Sequence, residues 1–136
     1  MENEQPETAV IVHSLLLKSA PAEVFETLMD EKKHSKLTGK PAKIAPKEEG
    51  EFALLGGFAH GINIEVRRGK KIVQAWNCSE AGWPADHFAI CTFVLAPAET
   101  GTKLSFTQTG IPPELLETMT DFWTKNYWEK LTAIFK

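Results

Sequence analysis

The chain has 136 residues, 43% of them hydrophobic and 24% charged, with a net charge of −3. That length suits one domain with a substantial core, and that composition argues against disorder. The slight negative balance argues against nucleic acid as a partner, since phosphate binding needs clustered cations. The one dense basic run, Arg67-Arg68-Gly69-Lys70-Lys71, falls where a hairpin turn is expected and reads as solvated. Cys78 and Cys91 are too few for a disulfide scaffold and lack metal-ligand spacing. No signal peptide and no bilayer-length apolar run is present, which implies a reducing, cytoplasmic setting.

In chain order, residues 1–7 are polar and read as a frayed tail ahead of a single domain over 8–136. Thr8 to Lys18 is rich in β-branched and apolar residues and reads as a strand. Ser19 is a candidate N-cap, with Pro21 in the first turn, Glu23 near the positive end, and an amphipathic helix over Val24, Phe25 and Leu28. A second short helix over Asp30–Leu37, capped by Asp30, stops at Gly39 and Pro41. Strands then follow over Ala42–Ile44, Glu51–Leu55, Phe58–Val66, Lys71–Cys78, His87–Leu95 and Thr102–Thr109, divided by turn residues. Phe58, His60, Ile62, Ile64 and Val66 alternate, so one face of that strand is expected inside and the other wet. Pro112 and Pro113 open a last helix that runs without glycine or proline to Phe135, more than about 30 Å at 1.5 Å per residue. Leu116, Met119, Trp123, Tyr127, Leu131 and Phe135 form its apolar stripe, widened by Leu115, Phe122, Trp128 and Ile134. So broad a face calls for a curved surface, and a strongly twisted antiparallel meander supplies one. The fold class is α+β: a curved antiparallel sheet wrapped around a long C-terminal helix, with two short helices after the first strand. The first strand must join the sheet at an edge.

Four strings in this order resemble a known family: Leu37-Thr38-Gly39-Lys40-Pro41-Ala42 running on to Gly50-Glu51-Phe52, Gly69 to Trp76, Gly101 to Pro112, and Trp123 to Leu131. They are similar to the C-terminal domain of the activator of the heat-shock protein 90 ATPase, within the helix-grip superfamily of START lipid-transfer domains and the birch-pollen allergen. The resemblance covers Val10 to Phe135 and implies the helix-grip fold, a non-enzymatic, co-chaperone-like role in the stress response, and a heat-shock protein 90-type chaperone as partner. Eukaryotic members add a separate N-terminal domain that makes the main chaperone contact, for which this length leaves no room. The same superfamily offers an alternative, a small apolar ligand held between sheet and helix, and more distantly a cyclase- or hydratase-type enzyme.

The residues themselves offer no catalytic or metal constellation and call for no cofactor. His13, His34, His60 and His87 lack metal-ligand spacing, and Cys91 sits mid-strand among apolar neighbours. Gly56, Gly57 and Gly61 mark a bend rather than a phosphate loop. If a cavity exists, its expected lining is Phe58, His60, Trp76, Phe88, Phe106, Gln108, Trp123 and Tyr127, with Gln108 and Tyr127 as polar anchors. Trp83, in a loop between Gly82 and Pro84, is expected to close the open end of the grip or to meet a partner. Aromatic side chains bury on the order of 150–250 Å² each, so at most a modest cavity is expected.

Overall fold

The computed structural model describes residues 7–136, so the expected tail falls almost wholly outside the described residues. Its strands are β1 (Ala9–Leu17), β2 (Lys43–Ile44), β3 (Glu51–Leu54), β4 (Ala59–Arg67), β5 (Lys71–Cys78), β6 (Ala89–Ala98) and β7 (Gly101–Ile111). They form one antiparallel sheet in the order β1-β7-β6-β5-β4-β3-β2. From β2 to β7 each strand pairs with its sequence neighbour, and β1 closes onto β7 at the far edge with Leu17 opposite Thr102. This is the curved sheet of the helix-grip fold.

Helices α1 (Pro21–Met29) and α2 (Glu31–Thr38) fill the gap between β1 and β2. Pro21 opens α1, but Ser19 does not cap it: the N-cap is Ala20, which makes no side-chain cap bond. The Ser19 carbonyl instead accepts a hydrogen bond from Thr102 Oγ1 at 2.6 Å, which ties the start of α1 to β7. Asp30 caps α2 as expected, accepting from the Lys33 backbone N–H at 2.9 Å, and Gly39 ends that helix in the left-handed conformation.

The terminal helix departs from the regular rod its sequence suggests. A 3₁₀ turn (Pro113–Leu115) leads into α3 (Leu116–Trp123), a π-helical turn (Thr124–Trp128) and α4 (Glu129–Ile134). Trp128 lies five residues after Trp123, which in a plain α-helix would rotate it away from Trp123 by more than a third of a turn. The wider turn brings both indoles onto one face, stacked at 5.6 Å and 20°. Beyond it the phase has advanced, so Leu131 is buried while Ile134, expected on the flank of the stripe, faces water. Leu116, at the head of the helix, is also partly exposed.

The bend of β4 follows from small residues and a bulge. A Cβ on Gly61 would meet the Ala75 carbonyl oxygen and the Phe52 ring, so only glycine allows that approach. Two residues further on, the register with β5 slips between Asn63 and Glu65. Asn63 is buried there and stitches the bend, donating to the Ala45 and Lys47 carbonyls and accepting from Gln74 Nε2 at 3.1 Å. Among the described residues, no helix is long and apolar enough to cross a membrane.

Candidate functional site

The interior of the grip is lined by the residues that alternate inward along each strand. β5 contributes Ile72, Gln74 and Trp76; β6 contributes Cys91, Phe93 and Leu95; β7 contributes Leu104, Phe106 and Gln108; all are buried. Against them the terminal helix sets Met119, Trp123, Tyr127, Trp128 and Leu131. Besides its stack on Trp128, Trp123 meets three other rings tilted, 4.5 Å from Phe106, 4.9 Å from Tyr127 and 5.5 Å from Trp76.

Five of the expected cavity residues therefore converge: Trp76, Phe106, Gln108, Trp123 and Tyr127. Phe58 stands at the rim, half-buried against Phe122 at 5.3 Å. His60 and Phe88 lie on the opposite, outer face of the sheet, where His60 meets Phe88 edge to face at 6.1 Å and Phe88 is 45% exposed. The alternation of β4 was the misleading signal. Ala59, Gly61 and Asn63 point inward, and the bulkier His60, Ile62 and Ile64 point out. The interior has room only for small groups there, because Phe52 from β3 already covers Gly61.

The two polar anchors are engaged within the chain. Gln108 Oε1 accepts from Trp123 Nε1 at 2.7 Å. Tyr127 O–H points at His34 Nε2, 2.8 Å away, and His34 Nδ1 lies 2.9 Å from the Leu28 carbonyl. A carbonyl only accepts, so Nδ1 carries the proton and Nε2 receives the tyrosine's. Burial drives the His34 pKa below its ordinary value, against the opposing effect of the Leu28 carbonyl. His34 is thus a neutral structural link from α2 to the terminal helix. Burial likewise raises the Tyr127 pKa far above the ordinary phenol range.

A pocket of about 10 Å³ lies between sheet and helix, bordered by Leu28, His34, Gln74, Trp123 and Tyr127. That is near the least volume a single water occupies. Trp83 folds inward over one end of this packing, 5.8 Å from Trp76 and edge to face, with its Nε1 donating to the His87 carbonyl at 2.9 Å. Trp76 Nε1 and Gln108 Nε2 have no hydrogen-bond partner among the described residues.

Neither cysteine is chemically primed. Burial pushes the Cys78 thiol up to about 11 and the Cys91 thiol well above its ordinary value. His13 lies flat on Trp128 at 5.0 Å, and His87 Nε2 bonds the Gly110 carbonyl at 2.5 Å. The described residues contain no cluster of three or more His, Cys, Asp or Glu side chains able to hold a metal ion. Larger depressions are open to solvent, and two of them exceed 500 Å³. One, of about 590 Å³, has Phe25, Met29 and Val66 in its floor and Glu26, Glu48 and Arg68 on its rim. The other, of about 620 Å³, lies on the outer face around His60, Ile62, Ala75 and Phe88.

This geometry defines a helix-grip domain whose interior is occupied by its own aromatic side chains. Residues 18–136 match the family model described as Activator of Hsp90 ATPase homolog 1-like protein, and the chain belongs to that family. It is 27% identical over 101 residues to the activator of 90 kDa heat shock protein ATPase homolog 2 of Mus musculus, a match covering 74% of this chain and 30% of the relative. It is 24% identical over 132 residues to the activator of 90 kDa heat shock protein ATPase homolog of Dictyostelium discoideum, covering 97% and 34%. The chain spans about a third of the length of the curated relatives it matches. Among solved structures, an HSP90 activator from Plasmodium falciparum aligns with a TM-score of 0.79 at 23% identity, over 93% of this chain and 94% of that one. A Mesorhizobium loti protein aligns with a TM-score of 0.77 at 18% identity, over 92% and 95%. At these identities the structural likeness speaks for the fold.

Proposed function

We propose that the protein is a non-enzymatic binding module that acts by protein contact, as a co-chaperone of a heat-shock protein 90-type ATPase in the stress response. The observation that carries this reading is the filled grip: with about 10 Å³ between sheet and helix, the interior has no space for an apolar ligand, and recognition falls to the outside. Family membership and the chaperone activators among the relatives support the choice of partner. The outer depression around Phe88 and Ile62 supplies exposed apolar area of the kind that partners cover. The raised thiol pKa values and the internally bonded His34 speak against nucleophilic or acid–base chemistry. A cytoplasmic location belongs to the same reading, supported by two buried free thiols. The test is ATP turnover by a purified heat-shock protein 90-type chaperone with and without the protein, together with co-elution. Faster turnover and a shared elution peak are expected; unchanged turnover with separate peaks would end this reading.

One observation favours a small apolar ligand as a second reading. The depression floored by Phe25, Met29 and Val66 holds about 590 Å³. Saturable one-to-one binding of a hydrophobic dye, abolished by Val66→Asp, is the result that would move the function there.

A further inference from the structure

The two edges of the sheet are protected unequally. At one end β2 is only Lys43–Ile44, with Pro41 before it and Pro46 after it. Brevity, charge and proline are the ordinary means by which a free edge avoids pairing with another strand. At the other end β1 runs for nine residues, Ala9–Leu17, with no charge and no proline, and its register slips only between Ala9 and Ile11. Val12 and Leu16 are 77% and 66% exposed, and Ile134 and Val10 come next among the exposed large apolar side chains. All four gather at this edge, because the Phe135 carbonyl accepts from the Lys18 backbone N–H at 2.8 Å and brings Ile134 beside the end of β1.

We propose that this edge is the seat of a two-fold dimer, in which β1 of a second copy pairs with it antiparallel and joins the two sheets into one. An antiparallel two-fold makes the strand its own complement. The register with full overlap sets Ala9 opposite Leu17 and centres on His13. Opposed residues then share a face, with Val10 beside Leu16, Ile11 beside Leu15 and Val12 beside Ser14. No like charges meet, and Lys18 comes to the end marked by Thr8 and Glu7 of the partner subunit.

The surroundings of the strand fit the same occupant. Two open grooves, of about 240 and 460 Å³, follow β1 between its edge and the terminal helix. Leu116 and Thr120 line the end near Val10, while Thr132 and Lys136 line the end near Leu15, so helix and strand run in the same direction. A two-fold through His13 therefore lays the two terminal helices antiparallel across the seam. Lys136 of each copy then faces the acidic first turn, marked by Glu117, of the other. This inference is independent of the chaperone reading, because it uses an edge and not the face around Phe88.

Sedimentation velocity of the full chain over a concentration series tests it. The wild-type protein is expected to sediment as a dimer that dissociates on dilution, with the β1 amides protected from hydrogen exchange. Val12→Lys and Leu16→Lys each enter a two-fold interface twice. Each is expected to raise the dissociation constant by more than about tenfold, with cooperative unfolding retained because both positions are exposed in the single chain. Ile62→Lys, exposed on the same face but away from the edge, is expected to leave the dimer intact. A wild-type monomer at every concentration, which would leave the edge to an extended segment of another protein, overturns the proposal. So does a dimer indifferent to both lysines.

Discussion

Along β6, Cys91, Phe93 and Leu95 point into the grip and are buried, whereas Ile90 and Val94, one residue away in each case, reach water. The same division runs through β7, where Leu104, Phe106 and Gln108 are buried and Lys103 and Thr109 are exposed. The inner face meets the terminal helix ring against ring, with centroids 4.5–6.1 Å apart, around a pocket of about 10 Å³. Among the described residues no helix covers the outer face, where a depression of about 620 Å³ surrounds the exposed Phe88 ring. The contrast separates two jobs that many small domains mix. The close packing lies inside, and the exposed apolar side chains that the proposed partner would cover lie outside.

The sharpest way to break this division is from within. Trp123→Ala removes the ring that touches Trp76, Phe106, Tyr127 and Trp128 and orphans Gln108 Oε1. A loss of about 3–5 kcal/mol is expected in urea unfolding, enough to leave a marginal fold. Tyr127→Phe keeps the ring but strands His34 Nε2 in a buried site, and about 1–3 kcal/mol is expected from the same measurement.

A smaller effect comes from pH. His34 has its folded pKa below the ordinary value of about 6.5, so below that pH the unfolded chain binds a proton that the folded chain refuses. Stability is therefore full above about 6.5 and falls as the solution is acidified, by at most about 1.4 kcal/mol per pH unit from this group. Unfolding curves at successive pH values should show the decline beginning before the carboxylates titrate, and His34→Gln should flatten that limb. The smallest change in stability is expected outside: Phe88→Ser should move unfolding by less than about 0.5 kcal/mol. If the division is correct, that same variant weakens co-elution with the chaperone while Tyr127→Phe, once folded, does not.

Most of the architecture was legible because it depends on local signals. Asp30 announces the cap of α2, the aromatic stripe of Trp123 and Tyr127 announces the buried helix face, and short turns announce a meander closed by β1. What escaped depends on contacts between distant segments. His60 and Ile62 read as an inward face until Phe52 is known to lie over Gly61. His34 gave no sequence signal of its role, since its partners, Leu28 and Tyr127, lie 6 and 93 residues away. Ser19 has the right chemistry for a cap, but Thr102, 83 residues on, fixes the chain there instead. The π-turn was hinted at by Trp123 and Trp128 at a spacing of five, which no regular α-helix face accommodates.

The burial of all four tryptophans has an optical consequence. Trp76, Trp83, Trp123 and Trp128 form one connected set of rings, with neighbouring centroids 5.5–5.8 Å apart. Dissolved quenchers such as iodide reach none of these chromophores until the globule opens. Intrinsic emission is thus an inward-looking gauge of the packing, and an extrinsic fluorophore on the face around Phe88 would report docking there.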